Sequence, residues 1–87
     1  MHQLLTEPIA IQDVFASGLA QAEDLQDGNF RFTFYARQKS LHDYAGTIEY
    51  VVVARIVLPT VAVFSAMQMT KDSIRQASED VLKLLAH

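Results

Sequence analysis

The alternation of apolar and polar side chains in Asn-Phe-Arg-Phe-Thr-Phe-Tyr-Ala, residues 29–36, constrains the fold more than any other feature of the chain. Successive side chains of a β-strand point to opposite faces of a sheet, so Phe30, Phe32 and Phe34 share one face. This spacing predicts a strand over residues 29–39 whose aromatic face is buried. The opposite face carries Arg31, Thr33, Tyr35, Arg37 and Lys39.

The residues before this strand favour a second strand that pairs with it in a hairpin. Asp27-Gly28 is a turn signal, because glycine accepts a positive φ, and it stands just before the strand. We therefore expect hairpin arms near 13–24 and 29–39, with Gly18 at a bulge or at a close approach of another element. The same segment also fits an amphipathic helix, one face of which would carry Ile11, Phe15, Leu19 and Ala22.

Residues 47–58 predict a third strand. Its even-numbered side chains, from Ile48 to Leu58, form an apolar row that we expect on the same buried side as the three phenylalanines. The odd-numbered row contains three valines, and a strand that is apolar on both faces is usually covered on both. One helix covers one face only, so the valine row needs another cover. Arg55, in the same row, is expected to pair with Glu49 or with a carboxylate across the sheet.

The C-terminal third of the chain predicts helix. Pro59 cannot donate to a sheet ladder but suits the first turn of a helix, so the strand should end there. Residues 59–86 then read as one helix, or as two with a break near 69–71, where Lys71 interrupts the apolar stripe. That stripe comprises Phe64, Met67, Ile74, Val81 and Leu85.

These elements predict an α+β fold, an antiparallel three-stranded β-meander with a C-terminal helix packed on the phenylalanine side. We find no linker composition and no internal repeat, so we expect a single domain over 1–87. Within it, 1–10 would form a flexible arm, 12–58 the meander and 59–86 the helical part.

The run Val-Val-Val-Ala-Arg-Ile-Val-Leu-Pro-Thr-Val-Ala, residues 51–62, resembles the second half of a family of small bacterial domains of unknown function. In that family a strand ending in an Arg-Ile-Val-Leu-like run meets a proline, and a helix follows. The resemblance extends in order over roughly 13–76 and departs after Ile74, where the family tends toward an aromatic-acidic pair. It supports the layout and implies no activity. The matching positions are Arg55, Ile56, Val57, Leu58, Pro59, Ala62 and Ile74.

The small size of the chain predicts self-association. A chain of 87 residues buries only about 60–65% of its unfolded surface, and such domains usually rely on disulfides, a metal or a partner subunit. The chain has no cysteine, which leaves the partner subunit as the favoured aid. We expect a two-fold homodimer in which one sheet face meets another. The alternative is that the N-terminal arm covers the valines. The predicted interface comprises Tyr35, Val51, Val53 and Val57.

The sequence contains no residue pattern typical of a catalytic or a metal-binding site. The three histidines, His2, His42 and His87, are far apart, and no pair has metal-ligand spacing. No serine stands in a nucleophile elbow, and no glycine-rich loop is present to hold phosphate. The acidic pairs Glu23-Asp24 and Glu79-Asp80 are more typical of solvated surface. We therefore expect no enzyme, no metal and no cofactor.

The predicted function is that of a homodimeric binding or regulatory accessory domain, cytoplasmic and bacterial, which also meets an unidentified protein partner. The alternative is a nucleic-acid-binding module, although a net charge of −3 argues against it. A small-ligand pocket lined by Met67 and Met69 is a third hypothesis. No apolar run is long enough for a membrane span, and no secretory signal is expected. The polyanion-binding face would comprise Arg31, Tyr35, Arg37 and Lys39.

Overall fold

The computed structural model describes residues 4–41 and 46–86, which form three strands followed by one helix. The strands pair in the order β1-β2-β3, both pairs antiparallel. The α+β fold and the β-meander predicted from the sequence are thereby confirmed. The elements are β1 (Gly18–Asp24), β2 (Asn29–Lys39), β3 (Ile48–Pro59) and α1 (Thr60–Leu85).

The hairpin between β1 and β2 turns where the sequence predicts. Gly28 has φ +86°, Gln26 has φ 69°, and the Leu25 amide donates to the Asn29 carbonyl at 3.0 Å. The first arm is shorter than expected, since β1 begins at Gly18 and residues 4–17 form neither helix nor strand. The segment that the sequence left open between strand and helix is therefore a strand only in its second half.

A bulge in β3 changes which side chains share a face. Phe34 stands opposite Ala54, but Tyr35 stands opposite Val52, so Val53 is an extra residue in β3. Directly opposed residues of an antiparallel pair point to the same face, and one extra residue reverses the alternation beyond it. The prediction that all even-numbered residues of 48–58 lie on the phenylalanine side is therefore wrong for residues 48–52.

A short connection joins β3 to α1. Pro59 is the last residue of β3 and occupies the N-cap position, with φ −67° and ψ 154°, rather than the first turn of the helix as expected. The amide and the hydroxyl of Thr60 both donate to the carbonyl of Gly28, each at 2.9 Å. The start of the helix is thus tied to the hairpin turn. α1 then runs without a break, so of the two alternatives for this part of the chain the structure has the single helix.

The helix contacts β3, yet this does not produce a buried core. Within 4–41 and 46–86 no hydrophobic side chain is buried, and Thr33, at 5% exposure, is the one buried residue. The radius of gyration is 18.0 Å, whereas a compact chain of this length has about 12 Å. The fold is therefore open, with the sheet and the helix each presenting uncovered apolar surface.

Candidate interaction site

The two faces of the sheet carry different aromatic residues, and we call them the Phe face and the Tyr face. The Phe face carries Phe30, Phe32 and Phe34 on β2, with Leu58, Ile56 and Ala54 opposite them on β3. The Tyr face carries Tyr35 on β2 and Tyr50 on β3, whose ring centroids lie 5.4 Å apart.

The Phe face and α1 bound an apolar groove of about 1160 Å³, which we call the helix groove. Its walls come from the sheet on one side and the first half of α1 on the other. Because the helix does not close down on the sheet, the phenylalanine rings stay half-buried instead of being enclosed as the sequence predicts. The lining includes Leu19, Phe32, Phe34, Leu58, Phe64 and Met67.

Local structure explains why the rings of Phe32 and Phe34 project into the groove. β2 alternates regularly along its whole length, and Leu19 of β1 stands opposite Phe34, so it joins the same face. The rings of Phe30 and Phe32 pack at a centroid distance of 6.5 Å. Aromatic pairs at this separation attract one another beyond simple area burial. Along β2 from Phe30 to Ala36 the Phe face is thus a continuous apolar surface, open on the side of the helix groove.

The Tyr face is partly covered by its own contacts, although Tyr50 and Val57 on β3 stay exposed. The Tyr35 ring lies across Gly18, so a Cβ at position 18 would come within 2.8 Å of the tyrosine hydroxyl. The close approach predicted at Gly18 is therefore confirmed. Arg31 forms an ion pair with Glu23 of β1 at 3.2 Å. Thr33, between Gln21 and Arg55 in the ladder, is buried.

The predicted dimer-interface residues do not share a face. Val57 stands opposite Arg31 and Tyr35 opposite Val52, which places both on the Tyr face. Val51 stands opposite Ala36. Ala36 is two residues after Phe34 on β2 and so points to the same side, which places Val51 on the Phe face. The grouping of these residues on one surface is wrong, because Val53 is the extra residue of the bulge. Their role in association stays a prediction.

The predicted polyanion-binding face is partly occupied by protein contacts. Arg31 is paired with Glu23, and Tyr35 packs between Gly18 and Tyr50. Arg37 and Lys39 are exposed.

The ion pair predicted between Arg55 and Glu49 does not form. Arg55 stands opposite Thr33, whereas Glu49 stands opposite Gln38, so the bulge puts the two on opposite faces. The other expected partner, a carboxylate across the sheet, is also lacking, since no ion pair of Arg55 occurs in the part of the chain that the structure describes.

The N-terminal arm does not cover the valines. Its apolar side chains are exposed from Leu4 to Phe15, the latter at 81%. The arm's link to the sheet is at Ser17, whose amide donates to the Tyr35 carbonyl at 2.7 Å and whose hydroxyl accepts from the Arg37 amide at 3.0 Å. The alternative in which the arm provides the missing cover is therefore wrong for residues 4–16.

Several predicted features lie outside the described residues. His2, His42 and His87 are among these, as is most of the connection 40–46. Residues 4–41 and 46–86 contain no group of three histidine, cysteine or carboxylate side chains placed to hold a metal ion. Over the same ranges no helix has both the length and the hydrophobicity of a membrane span.

The chain matches no protein-family model, no curated protein and no solved structure. The resemblance over residues 51–62 therefore stays a prediction.

The sequence predicts only part of the helix groove. A pocket between helix and sheet was one hypothesis, and Met67 does line the groove. Met69 is not among its lining residues and is 70% exposed. The spacing of the helix could have separated the two methionines, because residues two apart point in directions about 200° apart.

Proposed function

We propose that this protein is a homodimeric binding or regulatory accessory domain without catalysis, and that self-association completes its fold. The observation that carries the proposal is the lack of any buried apolar side chain within 4–41 and 46–86. Hydrophobic burial is the main favourable term in folding. A single copy therefore buries too little apolar surface to offset the conformational entropy that an ordered chain loses.

The exposed area supports the same conclusion. One copy exposes 8061 Å², whereas a folded monomer of 9.7 kDa exposes about 5100 Å². The excess is about 3000 Å² for each chain, or about 6000 Å² for two chains, and obligate homodimers bury about 2000–5000 Å² or more counted over both chains. The surplus surface is therefore large enough for an interface that resembles a domain core shared between two chains.

Self-association is favoured over a different partner because each copy presents both halves of an apolar contact. The groove and the uncovered helix occur in the same chain, so two copies can satisfy both through one two-fold axis. No disulfide can stabilise the open form, since the chain has no cysteine. We keep an additional protein partner, and a cytoplasmic location in a bacterium, as parts of the proposal.

Nucleic-acid binding is the weaker candidate. Two of the four side chains predicted for it, Arg31 and Tyr35, are engaged within the sheet. The net charge of −3 opposes a polyanion at long range. Retardation of a labelled oligonucleotide at low salt, lost on Arg37→Glu, would support this function over the proposed one.

The test of self-association is mass and stability as a function of concentration. Light scattering at micromolar concentration should give twice the 9.7 kDa of one chain. The thermal unfolding midpoint should rise with protein concentration, because folding and association are linked. A monomeric mass together with cooperative unfolding that does not depend on concentration would overturn the proposal.

A further inference from the structure

The apolar positions of α1 recur with alternating spacings of four and three residues. We call this row the seam. Such spacing is that of the a and d positions of a heptad, which form the contact between helices in a coiled coil. All but one of the seven positions are apolar, the exception being Thr70. The seam comprises Val63, Met67, Thr70, Ile74, Ala77, Val81 and Leu84.

The opposite side of α1 satisfies its own polar groups. Asp72 accepts from Gln68 at 3.0 Å and from Arg75 at 2.7 Å, and Asp80 accepts from Gln76 at 3.1 Å. These contacts between residues three and four apart support an exposed helix surface. The helix is therefore divided into a solvated polar side and an apolar seam.

From Met67 onward the seam has no cover within the described chain, whereas Val63 near its start is half-buried. Ile74 is 63% exposed, and Val81 and Leu84 are exposed as well. A helix of 26 residues is about 39 Å long. Most helical stability in proteins comes from packing of the apolar face rather than from intrinsic propensity. A helix of this length, with an open seam along it, requires a packing partner.

The first half of the seam also forms part of the helix groove. Val63, Met67 and Ile74 belong to the seam and also line the groove. The facing wall of the groove is formed by Phe32 and Phe34. An occupant packed on the seam would therefore also contact the Phe face, and an amphipathic helix in an apolar groove is a common mode of recognition.

We infer that the helix groove takes α1 of a second copy, so that two α1 helices pair along their seams and each also packs on its partner's Phe face. This rests on the proposed self-association and specifies the surface that makes it. The seam is largely apolar and repeats regularly, which makes it self-complementary, and the excess exposed area is large enough for the interface of an obligate dimer. The Tyr face remains outside this contact.

Two matched substitutions on α1 test the pairing. Ile74→Glu places a charge in the seam, and Met69→Glu makes the same kind of change away from it, at a similar exposure of 70% against 63%. Ile74→Glu should raise the dimer dissociation constant at least 10-fold, whereas Met69→Glu should leave the mass and the unfolding midpoint unchanged. Equal effects of the two substitutions would overturn the inference.

Cross-linking gives a second readout that does not depend on a disruptive charge. The chain has no cysteine, so Ile74→Cys and Asp72→Cys each supply a single thiol. Residue 74 lies near the middle of α1, and a short bifunctional maleimide should therefore link two copies whether the helices run parallel or antiparallel. Residue 72 lies on the opposite side and should link far less. A dimeric mass without linkage at 74 would overturn the helix pairing and leave the proposed function standing; a monomeric mass would overturn both.

Discussion

The ring of Tyr35 lies across Gly18, and a Cβ added at Gly18 would come within 2.8 Å of the tyrosine hydroxyl and 3.0 Å of Cζ. The two residues stand opposite each other in the β1–β2 ladder. Gly18 has no positive φ, so its backbone does not itself demand glycine. Glycine is favoured at this position by the neighbouring ring, because a Cβ would force the ring to shift.

The first prediction follows from this contact. Gly18→Ala should lower the free energy of unfolding by about 1–3 kcal/mol, because both the hydroxyl and the ring would have to move. Urea unfolding at fixed protein concentration measures the change. In a Tyr35→Ala background the same substitution should cost little, since the obstructing ring is gone. An equal cost in both backgrounds would show that the ring is not the cause.

The hairpin turn supplies the second prediction. Gly28 has φ +86° and nothing lies within 4 Å of the position that a Cβ would take, so any cost of a side chain is conformational. Gly28→Ala should reduce stability by about 1–2 kcal/mol. Gly28→Asn should cost less, because asparagine tolerates this region better. If both variants unfold at the wild-type urea concentration, the turn carries no such constraint.

The link between helix and turn supplies the third. The Thr60 hydroxyl donates to the Gly28 carbonyl at 2.9 Å. Thr60→Val keeps the shape of the side chain and removes the donor, so it should cost about 0.5–1.5 kcal/mol. Thr60→Ser retains the hydroxyl and serves as the control. A valine variant as stable as the serine variant would mean that the amide of residue 60 holds the junction alone.

The fourth prediction concerns the ion pair of Arg31 with Glu23. The two side chains are 39% and 33% exposed, so solvent screens their attraction. Arg31→Met keeps the aliphatic stem and should change the free energy of unfolding by less than about 1 kcal/mol. The difference should shrink in concentrated salt. A loss well above this value that persists at high salt would show that Arg31 stabilises the sheet in another way.

The elements that the sequence predicts well are those set by short-range chemistry. The alternation around Phe30, Phe32 and Phe34 indicates a strand because side chains alternate in any extended chain. Asp27-Gly28 indicates a turn because glycine accepts the positive φ that the turn needs. These signals do not depend on what the elements later contact, and the structure has both where they were expected.

The bulge at Val53 could not be located in the same way. Val51, Val52 and Val53 are identical residues in succession, so every register places a valine on each face. Only the pairing of β3 with β2 selects the residue that is left over. The bulge at Val53 places Val51 on the Phe face and Glu49 on the face opposite to Arg55. The predicted grouping of the interface residues and the predicted pair of Arg55 with Glu49 are wrong for this reason.

The sequence by itself determined the order of strands and helix, the hairpin turn and the apolar stripe of α1, since periodicity and backbone preference act within a few residues. The tertiary structure alone decided that the helix stands off the sheet, that β3 reverses its faces at Val53, and that the Phe face opens into a groove. Packing depends on which surfaces meet across long stretches of chain. A periodic pattern records that a face is apolar, but it does not record what covers that face.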